Sequence, residues 1–233
     1  GGAHHAATVQ RGDSRPEVYD FDLFRATDQS RALAERRLDQ LSYTVFDTET
    51  TGLEPALGDE IIQIGAVRIV NPRLLHNETF DQLIDPRRRL DRASVRVHGI
   101  SEDMLRGQPT IDEVLPAFRA FCEDTVLVGH NAAFDMRFLQ LKEPSAGVRF
   151  DQPLLDTLLL SEVLHPAQES HRLEAIAERL GVRIEARHNA LGDAIITAQV
   201  FLRMIGLLAA AGIHTLRDAR DAAAKTRYAK VQY

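Results

Sequence analysis

Apolar and polar positions alternate along 60–70, which ends in β-branched residues, and Asn71-Pro72 then turns the chain into a further run over 78–84. A short apolar run over 43–46 precedes both. Three strands joined by short turns predict an antiparallel meander, closed by Asp85-Pro86. After it the period lengthens. Apolar residues over 111–121 fall at helical spacing, 125–129 is a short buried strand of the parallel kind, and Met136, Phe138, Leu139 and Leu141 continue a second helix. The stretch 154–164 reads as an apolar helix, or a strand running into one, capped by Asp156 and ended by Pro166. Ser170 as N-cap and Gly181 as terminator bracket a helix through Leu173, Ile176, Ala177 and Leu180. A long helix then runs through Leu208.

The ends have weaker patterns. Residues 1–20 are small and polar without period, which predicts disorder, and Tyr19, Phe21 and Phe24 form an aromatic cluster able to pin that arm. Leu33, Leu38 and Leu41 predict a helix over 30–41. The segment 214–233 is polar, with helical propensity and few apolar anchors. The expected division is an extension or linker with a short helix over 1–42, a domain over 43–210, and a polar helical tail over 211–233.

At 233 residues the chain suits one domain with extensions, and 44% hydrophobic with 27% charged residues is ordinary for a globular protein. A net charge of −6 argues against a protein that coats nucleic acid, yet leaves room for an enzyme that grips only a strand end. Cys122, the single cysteine, sits in a helical pattern with Phe118 and Phe121 and reads as a buried structural thiol. The apolar stretch 200–213 is short and interrupted by Arg203, so no membrane contact is expected within these residues. The chain opens on Gly1-Gly2, as a piece of a longer protein would, and His4-His5 are given no metal role. Arg87, Arg88, Arg89, Arg92 and Arg96 crowd one loop and read as a solvated surface rather than a phosphate rail.

Three stretches carry candidate chemistry. At the end of the first strand, Asp47 and Glu49 are two residues apart and project to one face, where their repulsion calls for a cation such as Mg²⁺. Thr50, Thr51 and Gly52 then break the strand, and Gly52 permits a close backbone approach to a ligand. Asp135, in His130-Asn131-Ala132-Ala133-Phe134-Asp135, falls in the first turn of a helix that follows a strand, where the helix dipole favours a carboxylate. His188 and Asp193 open the last long helix. Each has a plain alternative: an acid pair on a solvated edge strand, an ordinary first-turn acid, a surface histidine. Asp156 and His171 are read as structural.

Taken together, D-T-E-T-T-G-L at 47–53, H-N-A-A-F-D at 130–135 and H-N-A-L-G-D at 188–193 occur in the order found in the DEDD superfamily of 3′–5′ exonucleases. The chain resembles its histidine branch, typified by the proofreading subunit of bacterial DNA polymerase III, over about 43–208. The resemblance implies an α/β fold of ribonuclease-H-like type: a mixed five-stranded sheet flanked by helices. It also implies two Mg²⁺ or Mn²⁺ ions, with Asp47, Glu49, Asp135 and Asp193 as ligands and His188 as general base. Thr50, Gly52, Leu53, His98 (in a V-H-G-I segment) and Phe134 would grip the last nucleotide. The expected reaction releases nucleoside 5′-monophosphates from single-stranded or frayed DNA 3′ ends. The alternatives are a ribonuclease of the same branch, a non-catalytic nucleic-acid module, and a nuclease module ending a larger membrane or signalling protein. DNA is favoured over RNA, the expected location is cytoplasmic, and a DNA polymerase or a covalently linked upstream domain is the expected partner.

Overall fold

Tyr43 and Val45 on one side of the first strand and Phe46 on the other are each at most 1% exposed, so this strand is buried on both faces. A strand so placed belongs in the middle of a sheet. The computed structural model, which describes residues 28–90, 95, 98–185 and 189–226, has it there. The sheet order is β3-β2-β1-β4-β5, with β1 Ser42–Thr50, β2 Ile61–Val70, β3 Arg73–Leu83, β4 Val126–Gly129 and β5 Leu154–Asp156. β2 and β3 pair antiparallel in a meander, whereas β4 runs parallel to β1 and β5 parallel to β4. This is the mixed five-stranded sheet that the family resemblance implies. β3 starts at Arg73, earlier than expected, because a register shift at Val67/Arg68 lets Leu74 and Leu75 pair with Ile69 and Arg68 before the polar residues that follow.

Strand alternation sorts the core into two layers. Tyr43, Val45, Val67, Ile69, Val126 and Val128 pack with α5 (Thr157–Leu164), α6 (Leu173–Arg179), α7 (Ala190–Ala210) and α8 (Leu216–Ala224). Phe46, Ile64, Ala66 and Leu127 face α3 (Ile111–Phe121) and α4 (Ala132–Ala146). There Phe118 lies 5.8 Å from Phe46 and 5.4 Å from Phe80, in tilted ring contacts. Cys122 is fully buried in this layer, and burial pushes its thiol up to about 12, which fits a structural thiol. Two short helices, α1 (Asp28–Leu33) and α2 (Glu102–Leu105), complete the described α-helices.

Three local expectations change. The helix predicted over 30–41 ends at Leu33, and a single 3₁₀ turn follows at Leu38–Gln40. The reason is that the backbone of 34–38 bonds to 214–217, through Leu38 N to His214 O, Leu216 N to Arg36 O and Arg217 N to Ala34 O, and so cannot also close a helix. The segment after α7 has more apolar anchors than its sequence suggests: Leu216, Ala219 and Ala223 are buried, and Thr215 with Asp218 makes a reciprocal capping box. Ser170 does not cap α6. Arg172 stands at that position without a side-chain cap, while Ser170 Oγ accepts only a long bond from Arg172 N at 3.4 Å. Asp156 does cap α5, Gly181 does leave α6 with a φ of +71°, and His171 is buried between Ser161 and Glu162. By length and composition α7 is apolar enough to span a membrane, but half of that window is buried here and the helix packs along β1 and β2.

Candidate functional site

Because Asp47 and Glu49 occupy odd positions of β1, they share the face of Tyr43 and Val45, the face that α7 covers. Asp47 pairs across the ladder with Gly65, and Glu49 with Gln63. Directly opposed residues of an antiparallel pair point the same way, so Gly65 and Gln63 meet the start of α7. A Cβ on Gly65 would lie 2.2 Å from the Leu191 amide nitrogen and 2.4 Å from the Ala190 carbonyl carbon. Only the missing side chain lets the helix begin this close to the sheet. Gln63 then fixes it, its Oε1 accepting from Ala190 N at 3.3 Å and its Nε2 donating to Asp81 Oδ1 at 3.2 Å. Asn189 caps the helix through Gly192 N. Asp193, in the first turn, is thereby brought onto the two strand acids.

One carboxylate oxygen from each of Asp47, Glu49 and Asp193 lies within 4.8 Å of the other two. Glu49 is buried, and the aspartates are half-buried. Three like charges gathered this closely oppose one another unless a cation compensates, and an all-oxygen set suits a hard divalent ion that keeps part of its water. The residues present therefore fit a divalent metal.

Asp135 stands outside this group of three. It lies in the first turn of α4, on the opposite layer, and is 1% exposed. The even-numbered Thr48, between the two strand acids, turns to that layer and donates its hydroxyl to Asp135 Oδ1. A single strand end thus presents two acids to one layer and anchors a third in the other.

The start of α4 is held by Asp156. Its carboxylate accepts from Asn131 N at 2.9 Å, Ala132 N at 2.8 Å and Leu158 N at 2.8 Å, joining the N-termini of α4 and α5. Burial pushes this carboxyl up to about 7, against the pull of those backbone donors.

The remaining sequence candidates lie around the end of β1. Thr50 is buried, and its Oγ1 donates to Gly52 O at 2.8 Å. Leu53 packs on the apolar layer that contains Phe134, whose ring is tilted against Phe138 at 5.1 Å. The close approach at Gly52 is made by the protein itself: a Cβ there would lie 2.4 Å from Asp59 Oδ2. His98 is buried, and its Nδ1 accepts from Ile100 N at 3.0 Å, which in the neutral ring leaves the proton on Nε2. His188 lies outside the described residues, as do Arg92 and Arg96. The residues that position the acids, Gln63 and Gly65 at the start of α7 and Thr48 at Asp135, were not among the sequence candidates. Gly65 alone carried a signal, a glycine inside an otherwise alternating strand.

The Exonuclease family (RNase_T) matches residues 44–201, more than half of the chain. The chain is 53% identical over 203 residues to a DNA polymerase III subunit epsilon-like protein of Rhodobacter capsulatus, covering 86% of itself and 29% of that protein. It is 41% identical over 178 residues to a PolC-type DNA polymerase III of Thermotoga maritima, covering 76% of itself and 13% of that protein. The chain thus spans less than a third of the length of either relative. Among solved structures it is similar in fold to exonuclease X in complex with 5′ overhanging duplex DNA (TM-score 0.63, 24% identity, 78% of this chain and 99% of that one). It is also similar to the nuclease domain of 3′hExo, a DEDDh family member, bound to rAMP (TM-score 0.63, 19% identity, 72% and 92%). With Asp47, Glu49, Asp135 and Asp193 all falling inside the matched span, the chain belongs to the Exonuclease (RNase_T) family.

Proposed function

We propose that this chain is the nuclease module of a larger protein and removes nucleotides one at a time from single-stranded or frayed DNA 3′ ends, releasing nucleoside 5′-monophosphates. The observation that carries this reading is the convergence of Asp47, Glu49 and Asp193 within 4.8 Å, built by a strand end and a helix start far apart in sequence. Two Mg²⁺ or Mn²⁺ ions, when bound, supply an acidified water, charge neutralisation at the phosphate and a stabilised leaving oxygen. Asp47, Glu49 and Asp193 would hold one, and Asp47 with Asp135 would serve the other. His188 accepts the proton of the attacking water, its ordinary pKa of about 6.5 being suited to work near neutrality.

Thr50, Gly52, Leu53, His98 and Phe134 bind the terminal nucleotide. The hydrogen bond from Thr50 to the Gly52 carbonyl and the seating of Leu53 on the layer that includes Phe134 support a preformed floor for it. DNA is favoured over RNA because the relatives at 53% and 41% identity are DNA polymerase III proteins. The same likeness supports a DNA polymerase or a linked upstream domain as partner, and a cytoplasmic location.

The test is digestion of matched single-stranded DNA, RNA and mispaired duplex with Mg²⁺ or Mn²⁺, alongside Asp47→Ala. Mononucleotides should appear from free 3′ ends, with DNA cleaved faster than RNA, and the variant should be inactive. Degradation of a 3′-blocked strand at the normal rate would overturn the direction, and faster cleavage of RNA would assign the module to RNA trimming.

A further inference from the structure

Between β1 and β2 the chain makes a loop, 51–60, closed on itself by one buried acid. Asp59 is 6% exposed, yet it lies in no strand or helix. Its Oδ1 accepts from Thr51 Oγ1 at 2.8 Å, and its Oδ2 accepts from Glu54 N at 3.0 Å. The loop ends are joined by Thr51 N to Glu60 O at 2.9 Å and by Glu60 N to Thr51 Oγ1 at 3.0 Å. Arg88, on the separate loop that follows β3, donates through Nη1 to Asp59 Oδ1 at 3.1 Å and to Gly58 O at 2.6 Å. The same carboxylate occupies the space over Gly52 that a side chain would need. Arg88, which the sequence groups with a solvated arginine run, is thus tied to a buried partner.

We propose that Asp59, held by Arg88, is a positioning residue for the terminal nucleotide: it fixes the path of Gly52 and Leu53 and links their loop to the one leading towards His98. This rests on the reading above in which those residues grip the 3′ end. Charge-assisted bonds to a buried carboxylate are stronger than neutral ones, and a loop held this way presents its backbone without having to order on binding. None of the three clustered acids is bonded to Asp59, so the lock acts on substrate grip and leaves the metal ligands alone.

The experiment measures kcat and KM for a single-stranded DNA in Asp59→Ala, Asp59→Asn, Arg88→Ala and Gly52→Ala, with Mn²⁺ titration in the absence of DNA and thermal melting of each variant. Asp59→Ala should raise KM on the order of tenfold while kcat changes by less than about threefold and Mn²⁺ binding stays unchanged. Asp59→Asn, which keeps an acceptor oxygen, should recover part of the loss. Arg88→Ala, at a side chain 38% exposed and so tolerant of truncation, should move KM in the same direction. Because the Gly52 methyl would strike the Asp59 carboxylate, Gly52→Ala should raise KM in the wild type and add nothing to Asp59→Ala. An unchanged KM in folded Asp59→Ala and Arg88→Ala, or strictly additive effects in the pair with Gly52→Ala, overturns the proposal. A wild-type protein that releases no mononucleotides from 3′ ends overturns instead the functional reading beneath it.

Discussion

The position most exposed to a minimal change is Gly65. Gly65→Ala adds one methyl to β2 directly opposite Asp47, and that methyl would sit 2.2 Å from the Leu191 amide nitrogen, 2.4 Å from the Ala190 carbonyl carbon and 2.6 Å from the Leu191 Cα. Ordinary contact begins near 3.4 Å, so the first turn of α7 must withdraw by more than about 1 Å. The obstacle is backbone on both sides, a strand in mid-sheet and a helix start, so rotamer changes cannot absorb it. The withdrawal lengthens the Gln63 to Ala190 bond, already 3.3 Å, and carries Asp193 away from Asp47 and Glu49. Overpacking of this kind costs about 1–3 kcal/mol in stability. A displacement near 1 Å in a reacting constellation costs about a hundredfold in rate, or roughly 2.7 kcal/mol of barrier. The assay is kcat/KM on single-stranded DNA with Mn²⁺, together with calorimetric Mn²⁺ titration and thermal melting. Both rate and metal affinity should fall, and the rate loss should exceed what unfolding explains. Gly206→Ala is the control: it lies in the same helix with open space around its Cβ, and should be neutral or stabilising by about 0.5–1 kcal/mol. A Gly65→Ala protein with wild-type metal affinity and turnover would refute the claim that close approach at this strand sets the third acid.

Other outcomes follow from the same geometry. Thr48→Val keeps the shape but removes the donor to Asp135, so turnover should fall by roughly tenfold while Mn²⁺ binding at the three clustered acids holds, read by the same titration. His188→Ala should cost much of the rate and spare metal binding; full activity from about pH 6 to pH 9 would remove it as the base. Asp156→Ala strips the acceptor from three backbone N–H groups and should destabilise by about 2–4 kcal/mol, with loss of activity following loss of α4 order. Burial holds the Asp156 carboxyl at about 7 in the fold, above its ordinary value of 3.8. The folded state therefore binds this proton more tightly, and stability from this group is complete below pH 3.8 and declines as pH rises to about 7. Denaturation as a function of pH should show that decline in the wild type, and Asp156→Asn should lack it.

Much of the architecture was written in local pattern. Alternation over 60–70 and helical spacing over 111–121 are short-range consequences of which face of a strand or helix meets the core, and each gave its element to within a residue or two. The same holds for Asp47 and Glu49, whose two-residue spacing alone sends them to one face. Terms set by contacts between distant segments were not legible. The break in the helix over 30–41 depends on hydrogen bonds to 214–217, and the burial of Leu216, Ala219 and Ala223 depends on α5 being there to receive them. Asp135 and Asp193 look alike in sequence, each a first-turn acid. Only the sheet, by assigning α4 to one layer and α7 to the other, decided that Asp193 joins the strand acids while Asp135 is held through Thr48. Side-chain periodicity is a property of a few consecutive residues and survives translation into sequence; the meeting of two elements depends on what stands between them, and at Gly65 that is the absence of a single methyl group.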